Sequence, residues 1–250
     1  MYDLGLTIIV LSKDNPLQVE LTFQSISSCF HDSNYVCNLI HLDASQSAPT
    51  HQHSRLLPSN IRYSFVKQYG TGIFRGMNQA LLAANTRFVW FLNSGDQIVK
   101  NLSLERFASF LLHAPLSVKF IIFQTIVAST PPRLRYTTAN RFALLAPLSP
   151  LFPCHQSCIF DLCLHKQILY PETYGADEYV IRNFILRSLF SSSFLSCQLY
   201  PLSLYDITGI SSSLAITPSQ FLRRIASYLR LALFHRILSD IPRLIRFYLH

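Results

Sequence analysis

Apolar and polar residues alternate along the first hundred positions in blocks whose lengths predict strands and helices in turn. Short β-branched or aromatic runs that end at a polar residue are typical of buried parallel strands, and we predict four: Leu6–Ser12, Tyr35–Leu42, Ile61–Val66 and Phe88–Leu92. Apolar residues at helical spacing predict a helix capped by Asn15, with Pro16 at its first position, and a second over Gly76–Ala84. The pattern indicates an α/β fold with functional loops at the carboxyl ends of the strands.

The second half of the chain continues this pattern less regularly. We predict helices over Leu104–Leu112 and Tyr179–Phe190, and strands over Val118–Val127 and Phe194–Tyr205. Val118–Val127 is expected near the edge of the sheet. Ser129–Pro153 is rich in proline, threonine and arginine and lacks a clear period, which predicts a long loop or lid.

The character of the chain changes at Thr217, where an amphipathic helix is predicted. Its apolar face holds Phe221, Leu222, Ile225, Tyr228, Leu229 and Ala232. Residues 218–250 contain six arginines and one acidic residue, Asp240. Such a helix either lies on an anionic membrane surface or packs on its own domain with its arginines in solvent. We predict one α/β domain over residues 1–216 and a basic helical tail over 217–250.

Charge and composition narrow the classes of partner. The net charge is +8, and 12 of the 21 basic side chains but 6 of the 13 acidic ones lie in residues 126–250. This excess favours partners that carry phosphate: nucleotides, nucleic acid or anionic lipid head groups. No aromatic and basic motif on a known module supports nucleic acid. The first apolar run, Thr7–Leu11, is too short for a signal peptide and lacks its basic flank. Apolar residues do not run uninterrupted for about 18 positions, as a membrane span would require. We therefore expect a cytoplasmic protein, and peripheral contact with the inner face of the plasma membrane stays open.

The six cysteines are expected to be buried thiols of a reducing compartment. They do not form a CxxC pair, which weighs against a zinc site, and disulfides are disfavoured in the cytosol. The cysteines are Cys29, Cys37, Cys154, Cys158, Cys163 and Cys197.

The run from Gly70 to Ile98, GTGIFRGMNQALLAANTRFVWFLNSGDQI, resembles the central signature of bacterial family 2 glycosyltransferases. The matching positions are Gly72, Ile73, Met77, Asn78, Ala84, Phe91, Leu92, Asn93, Gly95 and Asp96. Leu6–Ser28, Cys154–Phe160 and Ala176–Tyr179 also resemble segments of that family, so the likeness covers about residues 6–190. Gly209–Ser212 is similar to a loop of some members. The resemblance implies a GT-A fold, a Rossmann-like mixed sheet flanked by helices, here with a C-terminal helical extension.

The resemblance also implies a donor site for a UDP- or GDP-type sugar. It assigns nucleotide-sugar contacts to Ser12, Asp43, Ser45, Asn78 and Asn93. It assigns Asp96 to a divalent cation, Mn²⁺ or Mg²⁺, which prefers oxygen ligands and stabilises a departing diphosphate. Two plainer readings stay open: Asp96 caps the following helix, and Asp43 forms a turn.

On the acceptor side, the resemblance assigns the general base of an inverting transfer to Asp177. Glu178 competes for that role, and either carboxylate could instead complement the helix dipole. Arg182 could hold a carboxylate or a donor phosphate, or lie in solvent. His155 and Gln156 would line the acceptor, with a buried structural histidine as the alternative.

Three carboxylates of the family pattern are missing from this chain. Gly70, Arg75 and Ser47 stand where members often have aspartate. Either Asp96 binds the cation with fewer supporting acids, or Arg75 supplies positive charge to the substrate, or turnover has been lost. We expect an enzyme that transfers sugar to a saccharide or lipid-linked acceptor in cell-surface polysaccharide assembly. The alternative is a catalytically impaired module that binds nucleotide-sugar.

Overall fold

The chain folds around one nine-stranded mixed sheet with helices on both faces. A computed structural model describes residues 1–46, 50–129, 131–145, 151–191, 193–206, 218–230 and 241. The strands are β1 (Tyr2–Ser12), β2 (Tyr35–Asp43), β3 (Ile61–Lys67), β4 (Phe88–Phe91), β5 (Gln97–Ile98), β6 (Phe120–Val127), β7 (Arg133–Arg135), β8 (Cys158–Asp161) and β9 (Leu195–Tyr205). The helices are α1 (Pro16–Phe30), α2 (Ile73–Ala83), α3 (Leu104–His113), α4 (Arg141–Leu145), α5 (Leu162–His165), α6 (Ala176–Ser188) and α7 (Pro218–Arg230).

The first half of the sheet is parallel, as the alternation of strands and helices predicts. The strand order is β3-β2-β1-β4-β8-β6-β9-β5, with β7 paired to β6. β1 to β4 are parallel, β8 is antiparallel to both β4 and β6, and β9 is parallel to β6. β4, β6 and β9 therefore point the same way, and their carboxyl ends lie at the edge of the sheet where β1 and β2 also end.

The sheet is buried on both faces, which explains the continuous apolar runs of its central strands. One layer of core side chains includes Phe23 of α1, Phe107 of α3 and Trp90 of β4. The other joins Met77 of α2 to Phe184 of α6. These two layers pack against opposite faces of the sheet and fix the positions of its strands.

Two details of the sheet differ from the sequence prediction. β6 lies between β8 and β9 rather than at the edge, because the short strand β8, which carries little periodic signal, inserts beside it. Ser129–Pro153 is also not wholly irregular, since it contains β7 and α4; residues 130 and 146–150 of that segment lie outside the described residues.

Helix α7 packs on the α/β domain through one of its faces. Tyr228 is buried, the Arg224 guanidinium lies 5.1 Å from the ring centre of Tyr174, and the Ser227 hydroxyl bonds to Thr173. On its other face Leu222 is 66% exposed and Leu229 is 50% exposed. Packing thus uses only part of the predicted apolar face. The predicted loop at Gly209–Ser212 lies outside the described residues.

None of the helices in the described ranges has the length and hydropathy needed to cross a membrane.

Candidate active site

Asp43 is the most deeply held of the carboxylates at the strand ends. It pairs in register with Ser12 of β1 and is wholly buried. Its Oδ1 accepts hydrogen bonds from Ser12 Oγ at 3.0 Å, Ser45 N at 3.0 Å and Ser45 Oγ at 2.6 Å. Three donors to one oxygen fix the plane of the carboxyl group, so its orientation is set before any ligand binds.

Ser45 also ties together the loops that follow β1, β2 and β3. Its Oγ accepts a hydrogen bond from the backbone N–H of Asp14 at 2.7 Å, where the backbone adopts φ 51°. Its carbonyl oxygen accepts one from Lys67 Nζ at the end of β3. The predicted trio of Ser12, Asp43 and Ser45 is therefore one connected cluster.

The end of β4 carries a second set of oxygen atoms. Asn93 Oδ1 is buried and has no hydrogen-bond partner within the described residues. Asp96 is only 3% exposed, and its Oδ1 accepts a hydrogen bond from the backbone N–H of Asp206 at 2.9 Å. The pKa of Asp96 is raised to about 7, mainly because the carboxyl group is buried; the nearby charge of Asp206 also raises it, and hydrogen bonds partly offset both effects.

Asp206 is a site residue that the sequence analysis missed. It follows β9, whose carboxyl end lies at the same edge as that of β4. A Cβ atom at Gly95 would lie 2.7 Å from Asp206 Oδ2, and Gly95 adopts φ 97°. Glycine at position 95 therefore lets the carboxylates of Asp96 and Asp206 approach each other. The signal was available, because Asp206 directly follows a predicted strand, as Asp43 does.

These oxygens suit a hard divalent cation. Mg²⁺-type sites commonly use one or two carboxylates and complete the coordination shell with water and substrate phosphates. Asp96, Asp206 and the unpartnered Asn93 Oδ1 have that chemistry. No group of three or more His, Cys, Asp or Glu side chains that could hold a metal occurs in the described part of the chain, so the phosphates would have to complete the site.

Gln156 lies beside Asp96 and links it to the core. The Gln156 side chain hydrogen-bonds to Asp96, and its Oε1 accepts a hydrogen bond from Cys154 Sγ at 2.9 Å. Its carbonyl oxygen accepts one from Trp90 Nε1 at 2.8 Å. Gln156 therefore supports the Asp96 carboxylate directly.

His155, predicted to line the acceptor, is held in the core. It is 5% exposed, and its Nε2 lies 2.6 Å from the Tyr170 hydroxyl, which also lies 3.0 Å from His165 Nε2. Burial lowers the pKa of His155 to about 3 and that of His165 to about 3. The arrangement matches the structural alternative for His155, while its predicted role in acceptor binding stays a prediction.

The two candidate bases at the start of α6 differ in how accessible their carboxylates are. Glu178 is 2% exposed, and Arg182 Nε donates to its Oε1 at 2.8 Å. The Arg182 guanidinium also lies 4.9 Å from the ring centre of Phe152. Asp177 is half-buried and lies close enough to Cys154 for its charge to add to the rise in that thiol's pKa, which burial mainly causes. Asp177 is thus the more accessible carboxylate.

Arg75 and Gly70, the two described departures from the family pattern, lie against each other. A Cβ atom at Gly70 would be 2.8 Å from Arg75 Nη1. Arg75 Nε and Nη2 donate to Glu172 Oε1 at 3.0 Å and Oε2 at 2.7 Å. Both side chains of this ion pair are about half exposed. Ser47, the third departure, lies outside the described residues.

Asn78 is engaged with the backbone of a neighbouring loop. Its Nδ2 donates to the carbonyl oxygen of Tyr170 at 2.8 Å, and its Oδ1 accepts from the Tyr170 N–H at 2.9 Å. This pairing anchors the segment before α6 to α2. A direct contact between Asn78 and substrate stays a prediction.

This chain is similar to known proteins in its structure rather than in its sequence. No family model matches the chain, and no curated protein matches it. S. aureus TarS (residues 1–349) in complex with UDP superposes with a TM-score of 0.60 at 15% identity, covering 94% of this chain and 65% of that one. The structures of TarS alone and with UDP-GlcNAc are covered to 60% and 58% of their length.

A second group of similar structures is glucosyl-3-phosphoglycerate synthase from M. tuberculosis. Its complex with Mn²⁺, UDP-glucose and phosphoglyceric acid gives a TM-score of 0.58 at 14% identity, covering 90% of this chain and 79% of that one. Both proteins are GT-A glycosyltransferases. The nine-stranded mixed sheet of the present chain, with its carboxylates at the strand ends, is therefore the GT-A fold.

Proposed function

We propose that this chain is an inverting glycosyltransferase that moves a sugar from a UDP-sugar to a saccharide or lipid-linked acceptor. The observation that carries the proposal is that Asp43 and the contacting pair Asp96 and Asp206 lie along one edge of a GT-A sheet. TarS and glucosyl-3-phosphoglycerate synthase, which share the fold, are both known in complex with UDP. That shared ligand favours a UDP-type over a GDP-type donor.

The nucleoside would bind at the cluster of Ser12, Asp43 and Ser45. A carboxylate accepts hydrogen bonds from ribose hydroxyls or from the N–H of a uracil ring. Asp43 already has its Oδ1 held by three donors, so ligand binding would not require the carboxyl group to reorient. Preorganisation of this kind improves affinity by lowering the ordering cost.

The diphosphate would lie beside Asp96 and Asp206, with Asn93 Oδ1 as a third oxygen. These residues would hold Mn²⁺ or Mg²⁺, and the ion would stabilise the negative charge of the departing diphosphate. The hydrogen bond from the Gln156 side chain to the Asp96 carboxylate would keep that carboxylate in place when the ligand binds.

Asp177 would act as the general base. The acceptor hydroxyl oxygen attacks the anomeric carbon, its proton passes to the Asp177 carboxylate, and the bond from that carbon to the diphosphate oxygen breaks. The nucleotide diphosphate leaves with the electron pair of that bond, and a single displacement inverts the configuration. Glu178 is a weaker candidate because its carboxylate is buried in an ion pair with Arg182.

A second candidate function is a module that binds nucleotide-sugar without transferring the sugar. This function is favoured by the lack of acids at Gly70 and Arg75, where the family pattern often has two. Arg75 is instead engaged in an ion pair with Glu172. A turnover assay separates the two functions. Release of UDP from UDP-sugars by the full chain with Mn²⁺ supports the enzyme, whereas UDP binding without release supports the module.

We further propose that α7 brings the protein to the inner face of an anionic membrane, where a lipid-linked acceptor for cell-surface polysaccharide would be presented. The exposed Leu222 and Leu229 share a helix face and adjoin the exposed Arg223, which is a chemistry suited to anionic lipid surfaces. Flotation with phosphatidylglycerol vesicles should show binding of the full chain and its loss in the double variant Leu222→Glu, Leu229→Glu. Leu116→Glu, at an exposed leucine elsewhere, is the control. Equal flotation of all three proteins would refute this assignment.

A further inference from the structure

A buried histidine on β2 has no part in the proposed reaction. His41 is wholly buried two residues before Asp43. The rings of Phe23 and Phe65 meet its imidazole edge to face, with centroids 5.2 and 5.5 Å away. Its Nε2 lies 2.9 Å from Ser12 Oγ and its Nδ1 lies 3.2 Å from the Tyr63 hydroxyl. Both ring nitrogens are therefore hydrogen-bonded within an otherwise aromatic environment.

The direction of these hydrogen bonds follows from proton counting. Ser12 has a single hydroxyl proton, and it donates that proton to Asp43 Oδ1 at 3.0 Å. The hydrogen between Ser12 Oγ and His41 Nε2 must then belong to the imidazole. With His41 neutral, the other ring nitrogen is an acceptor, and in that state His41 Nδ1 accepts from the Tyr63 hydroxyl. The chain of donors runs from Tyr63 through His41 and Ser12 to Asp43.

This chain of hydrogen bonds crosses three neighbouring strands and ends on Asp43, the residue proposed to contact the nucleotide. Tyr63 belongs to β3, His41 to β2 and Ser12 to β1. Linked hydrogen bonds polarise one another and strengthen the last bond of the series. They also hold the Ser12 side chain in one rotamer, because a different rotamer would move Oγ away from the buried His41 Nε2–H that donates to it.

We propose that His41 is a positioning residue for nucleotide binding, which fixes the Ser12 hydroxyl and thereby the Asp43 carboxylate. The inference rests on the proposed function, since it needs Asp43 to contact the nucleotide. An apolar side chain would fill the same space without a polar group to satisfy. The imidazole instead occupies a buried position where only a fully bonded polar group is tolerated.

The test is the affinity for UDP, measured by calorimetry with Mn²⁺ on the full chain. His41→Leu should weaken UDP binding by about fivefold to tenfold, because Ser12 loses the donor that fixes it. His41→Gln can present an N–H near the place of Nε2 and should recover affinity to within about twofold of wild type. Tyr63→Phe, which removes only the first hydroxyl of the series, should weaken binding by about twofold to threefold.

A double-variant comparison separates positioning from general support of the fold. In the background of Asp43→Asn, His41→Leu should cause no further loss of UDP affinity if it acts through Asp43, whereas independent losses would multiply. Wild-type affinity in His41→Leu overturns the proposal. If that variant does not fold, unchanged affinity in Tyr63→Phe overturns it instead. Failure of the wild-type chain to bind UDP at all would contradict the proposed function itself.

Discussion

The buried wall of the site and its exposed rim are built differently. In the wall, Asp43 and Asp96 are almost wholly buried, and each accepts hydrogen bonds from named neighbours. At the rim, Arg75 and Glu172 form an ion pair that is about half in solvent. The wall has acids where the family resemblance predicts them, whereas at the rim Gly70 and Arg75 stand where the resemblance predicts two more. Burying a carboxylate costs free energy, so two buried carboxylates at one edge of the sheet suggest a ligand, whereas an exposed ion pair contributes little to stability.

The largest effect is expected from removing the buried Asp96 carboxylate of the wall. Asp96→Asn should lower turnover of a UDP-sugar by about 1000-fold, because it removes the proposed cation ligand. In EDTA the same variant should unfold at higher urea concentration, since the buried Asp96 carboxylate is repelled by the neighbouring Asp206 carboxylate. Steady-state kinetics and urea titration measure the two effects. Asp3→Asn, at the opposite end of β1, is the control; full activity of Asp96→Asn would show that this carboxylate holds no cation.

A slightly smaller effect is expected at Asp177, between wall and rim. Asp177→Asn should lower kcat by about 100-fold while leaving the Kd for UDP unchanged, because a general base acts only in the transition state. Rapid-quench turnover and calorimetry give the two quantities. If Glu178→Gln loses kcat while Asp177→Asn keeps it, the two assignments are reversed.

Two glycines with positive φ provide a sharper test of the wall. A Cβ at Gly95 would meet Asp206 Oδ2 at 2.7 Å and Gln18 Oε1 at 2.8 Å, whereas one at Gly72, with φ 105°, would meet no atom within 4 Å. Gly72→Ala should cost about 1 kcal/mol of unfolding free energy from backbone strain alone, and Gly95→Ala about 3 kcal/mol. Gly95→Ala should also weaken Mn²⁺ binding, measured by calorimetry. Equal effects of the two variants would argue against a close approach of Asp206.

The buried histidines behind the wall predict a dependence of stability on pH. Burial lowers the pKa of His165 from 6.5 to about 3, so the unfolded chain binds a proton below pH 6.5 that the folded chain does not. Stability should therefore fall as the pH drops from 6.5 towards 3, by up to about 1.4 kcal/mol per pH unit for this residue. His165→Gln should make the measured slope shallower by about that amount between pH 6 and 4. An unchanged slope would mean that His165 is protonated in the folded state.

The smallest effect is expected at the rim. Arg75→Ala should change turnover by less than about threefold and leave the urea midpoint unchanged, because exposed ion pairs contribute little. Glu172→Gln should behave in the same way. A large loss of UDP affinity in Arg75→Ala, without the same loss in Glu172→Gln, would instead show that Arg75 supplies positive charge to the donor.

Much of the wall could be predicted from the sequence because local signals place it. Asp43 and Asp96 follow apolar runs that are unmistakable strands, and carboxyl ends of parallel strands meet at one edge. Asp206 also follows a predicted strand. Its position depends on β8, a strand of four residues whose antiparallel insertion aligns β9 with β4, and so short a run carries no reliable period.

The rim and the tail could not be predicted in the same way. Arg75 and Glu172 are 97 residues apart, and their meeting depends on how the loop before α6 is anchored to Asn78. In α7 the sequence shows a wide apolar face, but only packing decides that Tyr228 is buried and Leu222 exposed. Contacts between distant segments decided these features, and single-residue periodicity does not contain that information.

The most direct test of the central claim is release of UDP from UDP-sugars by the purified full chain with Mn²⁺. The account predicts release above the protein-free rate for at least one UDP-sugar, and its loss in EDTA and in Asp96→Asn. UDP binding without release from any sugar nucleotide, in the presence of Mn²⁺ and a range of saccharide acceptors, would contradict the claim that this chain is a transferase.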